Sequence, residues 1–413
     1  MKIGILTYHC VPNFGAQLQT LSTIAFLRNH GYEPIVLNWY PKDLEEFYNR
    51  RGTESQNMYQ LNFARENMPL SQLCRTIPEL VMEIERLGIE HIILGSDALF
   101  DYIPEKYRCN FSLKKLKRIP ITVTSNHLLP NPFWGSFNDF IEKTIRIYGY
   151  AISSQNIPFN DLSSQERKEI KRLLKGFKIL TVRDEWTKQF AERIGDCTDV
   201  SVVPDPVFAL NNNFKQIPSK QQIIDKFGLP EDYILISFFY DKLPNSFINE
   251  LIHKLETVTT SYCVSFPMPD CLRRYDTKYK IDLPLDPLDW YALIKYSRGY
   301  IGERMHPIIV CLHNSIPFFC FDQYGAKRII IPRIWTKFSP ESSKIYDVLK
   351  RAKLSEYSCF YGEANKLTTE DIVNKFLSFD KTKCSEFSKS QLDNYNNAMS
   401  KLLLAFHDEG SDS

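Results

Sequence analysis

The sequence predicts an α/β fold of two domains facing each other across a cleft, and three observations predict it. The chain has 413 residues, too many for one ordinary core and enough for two domains of about 200 residues each. Its first half alternates short apolar strands with amphipathic helices, beginning with a strand–helix–strand unit. Its second half repeats that grammar after a polar stretch, which predicts one domain over residues 1–212, a second over 220–384 and a terminal segment over 385–413.

Each element follows from local pattern. Lys2 to Tyr8 is a first parallel strand, followed by a polar loop from His9 to Gly15. From Ala16 to Asn29 apolar residues recur at helical spacing until Gly31, and Pro34 to Trp39 is the second strand. Such a unit puts the loop after its first strand at the ligand edge of the sheet. That loop carries Asn13, Phe14 and Gly15, with Gln17 and Gln19 just inside the helix. Gly15 either permits close backbone approach to a ligand or serves as a turn glycine. One glycine is not the three-glycine fingerprint of a dinucleotide site, so that reading is excluded. Pro41 to Pro78 is polar and aromatic without clear period and reads as helices and loop over the cleft. Ile89 to Leu94 is a buried strand ending in Gly95, Ser96 and Asp97. A carboxylate there is either a site residue or a helix cap.

Strands at Ile119 to Thr124 and Ile147 to Ala151 are expected to continue the sheet, and Ser163 caps a charged helix. Lys178 to Val182 is a further strand, followed by Arg183 and Asp184 and a helix through Ile194. After Val200 to Val203 comes a stiff Pro204, Asp205, Pro206 turn, and Asn211 to Ser219 is the linker. The second half then places a helix over Gln221 to Phe227, strands over Tyr233 to Phe239 and Tyr262 to Phe266, and helices over Ser246 to Leu255 and Asp289 to Tyr296.

The stretch from Gly299 to Asp322 organises the rest. Tyr300 to Gly302 is a buried strand, Glu303 to His306 a polar turn, and Pro307 is expected to open an apolar helix, because a first helical residue loses nothing by lacking its N–H. A helix N-terminus beside Arg304 and His306 would attract an anion. Read alone, the same residues describe an ion-paired surface arginine and a capping histidine. Pro317 to Asp322 is the next strand, and Tyr324, Gly325 and Lys327 return to the same edge. Two α/β domains across a cleft form the GT-B architecture of two Rossmann-like domains. A helix from Ser385 to Leu404 is expected to cross back to the first domain, with a disordered tail beyond it.

Composition excludes several classes. With 43% hydrophobic and 24% charged residues the chain is globular, and a formal charge of +2 gives no nucleic-acid footprint. Lys114, Lys115, Lys117 and Arg118 form a basic cluster, read as a solvated loop or as a peripheral contact with an anionic membrane surface. No apolar run reaches the ~20 residues of a membrane span, and the chain enters a strand directly after Met1, so a cytoplasmic protein is expected. The ten cysteines show no paired ligand spacing, so neither disulfides nor a metal site is expected.

In order along the chain stand NFGAQLQ at Asn13, GSD at Gly95, YAISS at Tyr150, VRD at Val182, PDP at Pro204 and GERMHP at Gly302. With these six motifs in order, the chain resembles the polysaccharide pyruvyl transferase family from about Lys2 to Lys327. The resemblance implies a GT-B-like fold and a transfer of the pyruvyl group of phosphoenolpyruvate to a sugar, as a ketal, with release of phosphate. It places the family's donor-binding arginines at Arg183 and Arg304, its motif histidine at His306 with Met305 beside it, and its strand-end aspartate at Asp97. Asn13, Phe14, Gly15, Gln17, Ser96 and Lys327 are expected on the acceptor side of the cleft.

The resemblance implies no cofactor beyond phosphoenolpyruvate as co-substrate. It implies a lipid-linked or nucleotide-linked sugar acceptor, the precursor of a bacterial capsule or exopolysaccharide. Phe100, Asp184 and Gln155 depart from the residues usual at those motifs, and the segment from Asn126 to Ser136 has no familiar counterpart. His306 is the expected acid and Asp97 the group that orients or deprotonates the sugar hydroxyl. Two other readings stay open: a nucleotide-sugar-dependent glycosyltransferase, and a non-catalytic sugar- or phosphate-binding protein.

Overall fold

The computed structural model describes residues 1–112, 117–155, 157–238, 242–269, 273, 275–323, 325–331 and 335–407, and of 110–112, 117–118, 325–331 and 335–338 the backbone alone. Lys114 and Lys115 of the basic cluster, the side chains of Lys117, Arg118 and Lys327, Phe239, Tyr324 and the tail beyond His407 therefore lie outside what is described.

The strands of the first half are β1 (Lys2–Leu6), β2 (Glu33–Val36), β3 (His91–Leu94), β4 (Cys109–Ser112), β5 (Lys117–Pro120), β6 (Arg146–Ile152), β7 (Phe177–Val182) and β8 (Val200–Val202). Those of the second are β9 (Tyr233–Ser237), β10 (Tyr262–Ser265), β11 (Tyr279–Lys280), β12 (Gly299–Gly302), β13 (Phe318–Asp322), β14 (Gly325–Ile331), β15 (Trp335–Ser339) and β16 (Ser358–Phe360). Among the described residues they make two six-stranded sheets, ordered β2-β1-β3-β6-β7-β8 and β11-β10-β9-β12-β13-β16, and two hairpins, β4-β5 and β14-β15. Every pairing within the two large sheets is parallel. Their central strands are buried throughout, as strands covered on both faces must be.

The expected strand at Ile119 to Thr124 does not join the sheet. Only Lys117–Pro120 is extended, and it pairs antiparallel with β4. Pro120 removes a ladder donor, and Ile119 and Ile121 are 36% and 41% exposed, so the apolar run has no sheet face to cover.

The helices of the first half are α1 (Phe14–Asn29), α2 (Lys42–Asn49), α3 (Glu54–Asn67), α4 (Ile77–Leu87), α5 (Ser164–Leu174), α6 (Glu185–Gly195) and α7 (Leu210–Asn213). Those of the second are α8 (Lys220–Phe227), α9 (Asn245–Thr259), α10 (Pro287–Lys295), α11 (Met305–Asn314), α12 (Lys344–Arg351), α13 (Thr369–Leu377) and α14 (Lys381–Ala405). Helix α11 opens at Met305 rather than at Pro307. Pro307 is its third residue, and any of the first four N–H groups is dispensable, so proline fits there equally well.

Helix α14 spans the two halves. Near its start Cys384 packs in the second core and Ser388 donates to the His313 carbonyl oxygen, whereas Tyr395 packs edge-on against Phe26 and Tyr150. Beyond its end, Phe406 meets Tyr148 and His91. A second tie is α3, where the Gln56 amide donates to the Leu285 carbonyl oxygen at 3.0 Å and accepts from the Leu285 N–H at 2.6 Å. Phe14 at the head of α1 stacks on Trp290 of α10, with ring centroids 5.3 Å apart. These contacts hold the carboxyl edges of the two sheets opposite each other.

Candidate active site

In each sheet the strand order reverses direction at one point, between β1 and β3 in the first and between β9 and β12 in the second. At such points the following loops part in opposite directions and leave a crevice. Both crevices open into one cavity of about 440 Å³, lined by Tyr8, Asn13, Asp97, Ser237 and Arg304, among others.

The turn after β12 is built by close approach. A Cβ on Gly302 would stand 2.1 Å from the Ser237 carbonyl oxygen, so only glycine lets β12 run this tightly beside β9. Arg304 then takes φ 75°, unusual for a residue with a side chain, and caps α11. Asp97 has φ 110° at the equivalent place after β3. Two non-glycine residues in sparsely populated backbone regions lining one cavity make it the candidate functional site.

The imidazole of His306 lies on Gly15. A Cβ there would stand 2.0 Å from His306 Cγ and 2.2 Å from Nδ1. Gly15 thus gives the first half's lead helix contact with the second half's histidine. The N–H groups of Gly15 and Ala16 are capped by Asn13 Oδ1, at 3.1 and 3.4 Å.

Asp205 is the hub beneath this contact. Its Oδ2 accepts from Arg183 Nη1 at 2.9 Å and from the Gln19 amide, its Oδ1 accepts from the Val207 N–H at 3.0 Å, and His306 Nε2 lies 3.9 Å from Oδ2. The other Arg183 terminus reaches Asp97 Oδ1 at 3.4 Å. Arg183 is 2% exposed and its Nε has no hydrogen-bond partner. The ends of β3, β7 and β8 and the head of α11 thereby converge on one charge cluster.

Its electrostatics follow from burial and pairing. Burial alone would raise the Asp97 carboxyl, yet Arg183, His306, Lys344 and the Ala98 N–H hold it below its ordinary range. Burial pushes His306 down, opposed by Asp205 and Asp97 and assisted by Arg183 and Lys344, so its imidazole is mostly neutral at pH 7. Its buried Nε2 has no hydrogen-bond partner. Asp101, whose carboxyl burial raises, faces His127, with Nδ1 at 3.5 Å from Oδ2.

Asn13, Phe14, Gly15, Asp97, Arg183, Arg304, Met305 and His306 all line the cavity. Gln17 and Ser96 do not. Gln17 is fully buried and donates to the His9 and Gln60 carbonyl oxygens, holding α1 to α3, while the Ser96 hydroxyl donates to the Ala151 carbonyl oxygen. Both fix backbone behind the site. Gln155, one of the departures from the usual motif residues, has φ 55°, a left-handed conformation that favours glycine, and lines the cavity.

Sequence reasoning passed over Asp205, Lys344 and the aromatic-basic corner of Phe47, Tyr48 and Arg51. Asp205 ended a strand, as Asp97 did, but its flanking prolines drew attention to the turn instead. Among the described residues no group of three His, Cys, Asp or Glu side chains is arranged to hold a metal ion, and no helix is long and apolar enough to cross a membrane.

Against known proteins, the sequence model of the polysaccharide pyruvyl transferase family matches residues 13–323. No curated protein matches the chain. Similar solved structures include a Listeria monocytogenes protein assigned as a UDP-N-acetylglucosamine 2-epimerase, at 9% identity and TM-score 0.55, covering 99% of this chain and 97% of that one. The UDP-GlcNAc 2-epimerase of Methanocaldococcus jannaschii is similar at 13% identity and TM-score 0.50, covering 95% and 93%. Phytolacca americana UGT2, complexed with UDP-2-fluoro-glucose and pterostilbene, is similar at 11% identity and TM-score 0.50, covering 97% and 99%. At these identities the likeness is one of fold, the two-domain GT-B arrangement.

Proposed function

This chain belongs to the polysaccharide pyruvyl transferase family and is a transferase, and on that premise we propose that it moves the pyruvyl group of phosphoenolpyruvate onto a sugar of a bacterial surface polysaccharide precursor. The observation that carries the reading is the meeting of the Arg304, Met305, His306 turn with Gly15, Asp97 and Arg183 in one cavity, with Asp205 paired to Arg183 behind its wall. A small donor bearing a phosphate and a carboxylate needs cations and free N–H groups on facing walls.

The steps balance as follows. The enol methylene takes a proton and becomes a methyl, leaving an oxocarbenium-like carbon. One sugar hydroxyl adds to that carbon and loses its proton, the carbon–oxygen bond to phosphate breaks, and a second hydroxyl adds with loss of its proton to close the ketal. Of the two hydroxyl protons one replaces the acid's proton and one leaves on phosphate. His306 is the acid. Burial keeps it mostly neutral at pH 7, and a trianionic donor draws a proton onto Nε2. Arg304 and the head of α11 take the developing charge on phosphate. Arg183, engaged at both termini, holds Asp97 and Asp205 in place, and Asp97, kept ionised, orients the acceptor hydroxyl.

A nucleotide-sugar-dependent glycosyltransferase is the second reading, favoured by the apolar wall of Phe266, Met268 and Trp290 on the second-domain side. The test is incubation with phosphoenolpyruvate labelled in the pyruvyl carbons and a pool of lipid-linked and nucleotide-linked bacterial glycans. Label in the glycan with equal release of phosphate supports pyruvyl transfer. Release of a nucleoside diphosphate without use of phosphoenolpyruvate supports the second reading, and neither product would leave a binding protein.

A further inference from the structure

The segment from Asn126 to Ser136, which has no counterpart among the usual motifs, lines the cavity with its first two residues, Asn126 and His127. One short helical turn, Ser125–His127, presents them. Asp43 of α2 holds this turn, its carboxylate accepting from the Ser125 N–H at 2.6 Å and the Ser125 hydroxyl at 2.9 Å, and the His127 carbonyl oxygen accepts from the Ile103 N–H at 3.1 Å. The His127 ring rests on the loop after β3. Its Nδ1 lies 3.1 Å from the Asp101 carbonyl oxygen and 3.5 Å from the Asp101 carboxylate Oδ2. Only a protonated ring nitrogen can bond a carbonyl oxygen, so the proton sits on Nδ1 and Nε2 keeps its lone pair. Beside Nε2 stands the Asn126 amide, whose nitrogen donates to the Tyr8 hydroxyl at 2.7 Å and lies 3.4 Å from Nε2. The other end of that amide, Oδ1, is buried without a hydrogen-bond partner.

A sugar hydroxyl that attacks a donor must lose its proton, and Asp97 is a poor receiver of it. Although burial would raise its carboxyl, Arg183, His306 and Lys344 hold it low, so Asp97 orients a hydroxyl better than it deprotonates one. We propose that His127, backed by Asp101, is the general base for the acceptor hydroxyl. This rests on the transferase reading, in which a sugar hydroxyl attacks, and not on which donor is used. As the attacking oxygen forms its bond to the donor carbon its O–H bond breaks, and the proton passes to Nε2. The Asp101 carboxylate beside Nδ1 offsets the charge the ring then carries, the third group that orients a base. The other charged or titratable groups that act on the pair are Asp97, Lys344, Tyr8 and Tyr48. With 22% of its side chain exposed, His127 returns the proton to water, so the two hydroxyl protons still end on the methyl and on phosphate.

The experiment measures label transfer from saturating phosphoenolpyruvate to the pool of lipid-linked and nucleotide-linked bacterial glycans. It compares the natural full chain with His127→Gln, His127→Ala and Asp101→Asn, and records each unfolding midpoint with and without donor. His127→Gln should slow transfer about a hundred- to ten-thousandfold, while the donor still raises its midpoint as in the natural protein. Asp101→Asn keeps the carbonyl oxygen but removes the charge, and should slow transfer less, again with the donor response intact. Added imidazole should restore part of the rate in His127→Ala, which replacement of a scaffold contact would not do. A natural rate in His127→Gln would overturn the proposal. So would slow variants whose midpoints have fallen and which imidazole does not rescue, since that describes a scaffold contact. Should the natural protein release a nucleoside diphosphate and ignore phosphoenolpyruvate, the donor reading fails alone. The same loss in that release would then keep His127 as the base, and an undiminished release would remove it. Neither product from the natural protein would refute the transferase reading and the base together.

Discussion

Replacement of Gly15 by alanine separates a turn glycine from a site glycine. Gly15 has no positive φ and lies in the first turn of α1, where alanine is the better helix former by up to about 1 kcal/mol. On helix propensity alone Gly15→Ala should stabilise. The structure reverses the sign. The new Cβ would stand 2.0 Å from His306 Cγ, whereas ordinary contact begins at 3.4 Å, so ring or helix must move by the difference, 3.4 − 2.0 = 1.4 Å. Overpacking of this kind costs about 1–3 kcal/mol, a fall of roughly 2–12 °C in the unfolding midpoint for domains of this size. A misplacement above 1 Å at a reacting group costs about a hundredfold in rate.

The assay is thermal unfolding with and without phosphoenolpyruvate. The midpoint should fall, and the donor should no longer raise it. In the double variant Gly15→Ala, His306→Ala the ring atoms nearest the new Cβ are gone, so the midpoint should rise above that of Gly15→Ala while the donor response stays lost. A Gly15→Ala protein that unfolds at or above the natural temperature and keeps its donor response would refute the contact between Gly15 and His306 and the site built on it.

Asp205→Asn should be among the most damaging single-atom changes in the chain, because it leaves the buried Arg183 charge with one long contact; about 3–5 kcal/mol is expected from breaking a buried pair, read as a lower midpoint in urea, and unchanged unfolding would deny Asp205 its central position. Since burial keeps His306 neutral and the donor charges it, phosphoenolpyruvate binding at pH 8 should take up a proton. The donor's phosphate, with a second pKa of about 6, is already ionised at that pH. Calorimetry in buffers of different ionisation enthalpy measures the uptake; Lys344, lowered to about 8, contributes part of it at that pH, so His306→Gln should reduce the uptake without removing it, and an uptake unchanged in that variant would place the proton elsewhere.

The two parallel sheets, the organising turn and the crossing helix were legible because buried parallel strands read as short apolar runs and helices keep their period. The strand at Ile119 misled because an apolar run says nothing about which face it covers, and Pro120 was the signal against it. The start of α11 was misplaced by two residues because proline is tolerated throughout a first turn. Gln17 and Ser96 were legible as polar residues near the site, but their hydrogen bonds run backwards into the scaffold. Asp205 and Lys344 escaped for different reasons. Asp205 acts only through partners distant in sequence, Gln19 and Arg183. Lys344 opens an amphipathic helix beyond the last recognised motif, where its Ser343 cap was the one local sign.

The central claim is that the donor is phosphoenolpyruvate, held at the Arg304 turn. The most direct measurement is ligand-induced stabilisation of the purified protein by phosphoenolpyruvate and, separately, by nucleoside diphosphates and nucleotide sugars, with Arg304→Ala alongside. The account predicts a raised unfolding midpoint with phosphoenolpyruvate alone, lost in Arg304→Ala. A midpoint raised by a nucleotide sugar, with phosphoenolpyruvate silent, would contradict it.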